Sequence, residues 1–244
     1  MLRFAYDLLA IVAALVIGTP TAWGQTNYYW NGAGAVTTTA SWGQNLNGTG
    51  TAPANFATSN QLFSIQNGQS ATHVSSWVIT GTYTRLAILF GGTFQTDSNT
   101  NTYTVSTGGN TTFIFNGTGL GAPTLTSVDP SSVFRVTNAS FTGLVESFGN
   151  FGHLEIQCGT GAITLGTITT LGDLRILQGE SQLVNGSNAR TWTIGQDVKL
   201  SAGATWKLNN GTAIGTANIS GTLNSFQNNF QNGLRTVTSW FRCD

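Results

Sequence analysis

The sequence predicts an all-β protein, a β-solenoid of roughly 20–24 residues per coil with an N-terminal cap. Three observations carry this. Charged residues make up only 7% of the 244-residue chain, where an average soluble domain has about 25%. Gly (31), Thr (39), Asn (22) and Ser (19) together supply nearly half of it. An apolar–polar–apolar triplet then recurs about every twenty residues. Long charged side chains, which clothe the solvent face of helical bundles, are scarce. A hydrophobic content of 40%, with 11% aromatic residues, is enough to build a core and argues against disorder.

Residues 1–24 read as a secretory signal peptide. Arg3 gives a positive start, and Leu8 to Ile17 is an apolar run of ten residues, short of the about 20 that a spanning helix needs. Ala22-Trp23-Gly24 places small residues at the −3 and −1 positions of a cleavage before Gln25. No later segment is long and apolar enough to span a bilayer as a helix. The mature chain is expected to be secreted, to the extracellular space or the cell surface, with no transmembrane segment.

Residues 25–60 carry Tyr28, Tyr29, Trp30, Trp42 and Phe56 among Gly, Thr and Asn with little alternation. A solenoid must cover its first coil, whose apolar end and strand edge are otherwise open, and this segment is expected to be that cap. Its aromatic residues Tyr29, Trp30 and Trp42 are also candidate platforms for stacking on sugar rings.

Residues 61–225 hold the repeat. Leu62-Phe63-Ser64-Ile65 and Trp77-Val78-Ile79 open it, and Arg85 to Phe94 is expected to be a buried strand pair. Phe151-Gly152-His153-Leu154-Glu155-Ile156 recurs as Leu171-Gly172-Asp173-Leu174-Arg175-Ile176 and again within Ile194 to Leu200. Phe113-Ile114-Phe115 and Phe134-Arg135-Val136 fall on the same rhythm, and Ile214 to Ile219 is a weaker copy. The first apolar residues lie at 113, 134, 154, 174, 198 and 217, in steps of 21, 20, 20, 24 and 19. Alternation of period two marks strands with one buried face. Asn-Gly and Gly between them turn the chain. Residues 226–244 lose the pattern and are read as a C-terminal cap or a truncated end.

Stacking sets equivalent residues about 4.8 Å apart. The middle, outward positions are Ile114, Arg135, Glu155, Arg175, Lys199 and Asn218. Arg135, Glu155 and Arg175 then form a ladder of alternating sign, each exposed pair worth about 0.2–1 kcal/mol.

The stretch Tyr29-Trp30-Asn31-Gly32, Ser41-Trp42, Gly48-Thr49-Gly50, Pro53 to Phe56 and Phe63 to Gly68 resembles the start of large secreted bacterial surface proteins. The Leu-Gly-Asp-Leu-Arg-Ile units are similar to the repeats of adhesins of the autotransporter-passenger or Bacteroidetes/Verrucomicrobia kind. The resemblance covers roughly residues 28–225. It implies a right-handed parallel β-helix acting as a structural or adhesive element, and it transfers no catalytic residues.

The function expected is therefore a non-catalytic extracellular element that binds polysaccharide or cell-surface components. The balance of nine basic and nine acidic residues leaves no footprint for nucleic acid. His73 and His153 stand alone and no CxxC occurs, so neither metal nor cofactor is expected. Cys158 and Cys243 are expected to be unpaired. Two alternatives stand beside this. A polysaccharide lyase or hydrolase of the pectin-degrading β-helix type needs paired carboxylates, and Glu155, Asp173 and Asp197, with Arg175, are the only cluster. Ice binding needs Thr-x-Thr pairs in register on consecutive coils. The pairs begin at Thr80, Thr102, Thr167 and Thr191, an uneven spacing that is not expected to give such an array.

Overall fold

The computed structural model describes residues 24–73, 75–96, 103–118, 124–138, 140–141, 145–182, 190–202, 204–207, 215–225 and 230–231. The expected signal peptide up to residue 23, Cys243 and nearly all of 226–244 lie outside them. The chain is a β-solenoid of about 6 turns, with about 21 residues per turn. No α-helix occurs among the described residues, and hence none long and apolar enough to cross a membrane.

Each coil contributes a strand to one face, a tight turn, and a strand to the next face. The longest face is a sheet built from Ser70–His73, Thr93–Thr96, Thr112–Phe115, Val133–Val136, His153–Thr164, Leu174–Gln182, Val198–Leu200 and Leu223–Ser225, all parallel. Its inward column is Ala71, Phe94, Phe113, Phe134, Leu154, Leu174, Val198 and Leu223. The steps are shortest between Phe94 and Leu174 and lengthen over the last two coils. The repeat thus begins two coils before Phe113, where Ala71 and Phe94 already occupy its inward position.

The neighbouring face starts with Thr26–Trp30, Gln61–Ile65, Arg85–Ile88, Thr104–Thr107 and Thr124–Val128, again parallel. Tyr28, Phe63, Leu86, Val105 and Leu125 form its inward column. Trp42–Gly43 turns back antiparallel on Thr26–Trp30 and covers that strand's outer edge. The apolar run Arg85 to Phe94 is two strands joined by a turn, and they belong to different faces rather than to each other. After Thr124–Val128 the sheet stops. A 3-10 turn, Val145–Phe148, sends Val145 and Phe148 into the core, and its Glu146 N–H donates to the Leu165 carbonyl at 2.9 Å. A three-stranded parallel sheet, Ile168–Thr170, Arg190–Ile194 and Gly215–Ile219, then continues the solenoid.

The core is a stack of aromatic and aliphatic rungs. Phe113 lies between Phe94, with ring centroids 5.7 Å apart, and Phe134, at 5.1 Å. Trp192 stacks on Trp206 at 5.1 Å. Fully burying one such side chain contributes about 1.5–3 kcal/mol. The glycines of the repeat serve close backbone approach. A Cβ at Gly195 would run into the Leu171 carbonyl, and one at Gly172 into the His153 ring.

Gly215–Ile219, the described part of the weaker copy, falls on a different face from the one expected. Gly215–Ile219 pairs with Arg190–Ile194, and the register position after Lys199 belongs to Asn224, not Asn218. The last coils are longer, so the earlier spacing carried forward from Val198 lands on the preceding strand.

Candidate functional site

Two assemblies of polar side chains stand on the outer surface. The first grows from the outward row Ile114, Arg135, Glu155, Arg175 and Lys199, which the strand register places on successive coils. Glu155 sits between the two arginines. Its Oε2 accepts from Arg135 Nε at 2.8 Å and its Oε1 from Arg175 Nη1 at 2.9 Å. Arg175 turns its other edge to Asp173, with Nε and Nη2 donating to Oδ2 at 3.0 and 2.8 Å. Lys199 Nζ reaches the same oxygen at 2.7 Å. Asp173 Oδ1 accepts the Asp197 N–H, and Asp197 Oδ1 accepts the Thr222 N–H at 2.9 Å.

The carboxylates are the buried members of this network. Glu155 is 5% and Asp173 2% exposed, while the Lys199 side chain is 44% exposed. Burial alone would raise the Asp173 pKa. Hydrogen bonds from Lys199 and Arg175 and from the Asp197 N–H outweigh it and hold the carboxyl below its ordinary range. His153, which the sequence left alone, joins here. Its Nδ1 accepts the Asp173 N–H at 2.8 Å, which leaves the proton on Nε2. Burial first, then the positive charge of Arg175, lowers its pKa. The network is charge-balanced, and the two buried carboxylates are saturated by cations.

The aromatic candidates of the N-terminal segment divide. Trp42 is 1% exposed, donates Nε1–H to the Val36 carbonyl at 2.7 Å, and packs on Phe63 and Trp77. Trp30 is buried as well, and Tyr29 is half-buried opposite Ser64. Trp30 and Trp42 thus lie in the core rather than presenting their faces to solvent.

The second assembly was invisible to sequence reasoning. A groove of about 490 Å³ opens where the turn before Arg85–Ile88 meets the next strands, and Tyr83, Arg85, Tyr103, Thr104, Thr124 and Thr126 line it. Tyr83 is 79% exposed and holds φ at +59°, a left-handed conformation uncommon for a bulky residue. The turn is tied down on both sides. Asn60 N–H donates to the Thr82 carbonyl at 2.9 Å, Thr82 N–H to Ser59 Oγ at 3.2 Å, and Thr84 Oγ1 to the Thr58 carbonyl at 2.7 Å. Register sets Arg85, Thr104 and Thr124 side by side on three strands. Arg135, Arg175, Arg190 and Lys199 all reach carboxylates, whereas no carboxylate among the described residues reaches Arg85. The signal in the sequence was one large aromatic in the polar turn Thr80-Gly81-Thr82-Tyr83-Thr84.

The Thr pairs are placed differently from the sequence expectation. Thr169 lies opposite Thr193, and Thr191 opposite Thr216, so the pairs beginning at Thr167 and Thr191 do fall on consecutive coils. Cys158 is buried, with its thiol 3.7 Å from the Gln178 carbonyl oxygen. No group of three His, Cys, Asp or Glu side chains among the described residues is arranged to hold a metal ion. Comparison with family models, with curated proteins and with solved structures finds no match.

Proposed function

We propose that the chain is a secreted, non-catalytic structural or adhesive β-solenoid of the extracellular space or cell surface, and that it binds polysaccharide. The observation that carries this is the chemistry of its outer rows. Arg85–Thr104–Thr124, Thr93–Thr112 and Thr169–Thr193–Asn218 present hydroxyl, amide and guanidinium groups at strand spacing, on a surface otherwise low in charge. Such rows suit the many hydroxyl groups of a sugar polymer. The saturation of Glu155 and Asp173 by Arg135, Arg175 and Lys199 supports a non-catalytic role over the lyase or hydrolase reading, because acid–base chemistry needs a carboxyl free to exchange its proton. The expected leader supports export.

The test is retention of the purified protein on polysaccharide particles, with the supernatant assayed for new reducing ends and unsaturated products. Retention without cleavage is expected. Cleavage that disappears in Asp173→Asn would replace this reading with the enzymatic one, and failure of any polysaccharide to retain the protein would remove the binding.

Ice binding is kept as a second reading because Thr169 and Thr193 stack in register, with Thr191 beside Thr216. Thermal hysteresis by the purified protein supports it, and its absence ends it.

A further inference from the structure

We infer that the Tyr83–Arg85 groove is a binding site for an anionic polysaccharide, one whose rings carry carboxylate or sulfate groups. This rests on the polysaccharide-binding reading and names its site and ligand class. Four observations converge on it. Tyr83 presents its ring to solvent at 79% exposure from a turn whose backbone is held in place by Asn60, Ser59 and Thr58. With the turn backbone held, only the two side-chain torsions of the ring remain to be ordered when it stacks on a sugar face.

Arg85 stands two residues on, exposed, in a chain where the other cations with described side chains are neutralised by carboxylates. Its planar fork is free to take a carboxylate or sulfate through paired hydrogen bonds. Thr104 and Thr124 continue its row at intervals of about 4.8 Å, offering hydroxyls along the path of the chain. The volume of about 490 Å³, open on one side, suits a segment of an extended polymer. The ring supplies affinity for the sugar face, and the guanidinium supplies the preference for charge.

Dextran, carboxymethyl-dextran and dextran sulfate share one backbone and differ in charge, and alginate adds a natural uronate polymer. Affinity electrophoresis in gels containing each polymer measures binding by the wild type, Tyr83→Ala, Tyr83→Phe and Arg85→Gln. The anionic polymers are expected to retard the wild type more than dextran does, and added salt is expected to weaken the retardation. Tyr83→Ala and Arg85→Gln are each expected to weaken binding roughly tenfold, and Tyr83→Phe to retain it. Tyr83→Asn, which suits the left-handed turn, replaces Tyr83→Ala if the latter fails to fold. The arms with carboxylate and with sulfate show which group the site prefers. Equal retardation of the wild type and the variants overturns the groove and leaves polysaccharide binding standing. Equal retardation by dextran and its charged forms overturns the ligand class. No retardation by any polymer overturns the polysaccharide-binding reading together with the inference.

Discussion

Glu155 and Arg175 are joined across two adjacent coils by an Oε1–Nη1 contact of 2.9 Å. Arg135 takes the other carboxylate oxygen at 2.8 Å, so one buried acid bridges three coils. Removing the charge at Glu155 leaves two guanidinium groups facing each other without an anion between them. Glu155→Gln is therefore expected to lower unfolding stability by about 2–4 kcal/mol. Arg135→Ala is expected to cost only about 0.5–1 kcal/mol, because its side chain is 31% exposed and Glu155 keeps Arg175. Urea unfolding of both variants checks this order.

The same network makes stability depend on pH with a definite sign. His153 has a lowered pKa in the folded chain, so the unfolded chain takes up its proton first. Its contribution is full above about 6.5, the unfolded value, and falls as the pH drops through it towards the folded value. Asp173 is also lowered, so its contribution is present above about 3.9 and is lost as the pH falls through the folded value. Unfolding free energy is expected to decline between pH 7 and 5, and His153→Gln is expected to flatten that decline. Asp173→Asn is expected to flatten the acid limb instead.

Gly195 tests the close approach of the coils. Its backbone passes the Leu171 carbonyl too tightly for a side chain. Gly195→Ala is expected to destabilise by about 1–3 kcal/mol, although alanine elsewhere favours an ordered backbone over glycine. Thermal denaturation against the wild type measures it.

The aromatic stack gives a contrast between inside and outside. Phe113→Ala removes the ring between Phe94 and Phe134 and is expected to cost about 3–5 kcal/mol. Leu171→Ser, at a side chain 46% exposed, is expected to stay within about 0.5 kcal/mol. Similar losses in the two variants would contradict the placing of Phe113 in the core and of Leu171 at the surface.

Legibility in the sequence followed the length of the coil. From Phe134 to Leu200 each unit shows apolar–polar–apolar with a fixed partner one coil away, so the row Arg135, Glu155, Arg175, Lys199 could be read by counting. Counting failed at Asn218 because the coil from Val198 to Leu223 is longer than those between Phe113 and Leu174. It also hid the stack of Thr169 on Thr193, since only the strand pairs themselves show which Thr residues share a face. His153 was missed because its partner is a backbone N–H, to which sequence gives no clue. The Tyr83 groove was missed for a related reason. Its walls come from a turn and from strands one and two coils further on, brought together only by stacking.

The central claim is that each repeat unit is one coil stacked in register on the next, and cysteine pairing tests it most directly. In a Cys243→Ser background, Gln95→Cys with Ile114→Cys places two thiols on directly paired outward positions, about 4.8 Å apart at the backbone and within disulfide reach. Gln95→Cys with Arg135→Cys places them two coils apart, at about 10 Å and out of reach. Mild oxidation of the folded protein followed by peptide mapping is predicted to link the first pair and leave the second reduced. A disulfide in the second pair, or none in the first, would contradict the stacked register on which the ion network, the Thr rows and the groove all depend.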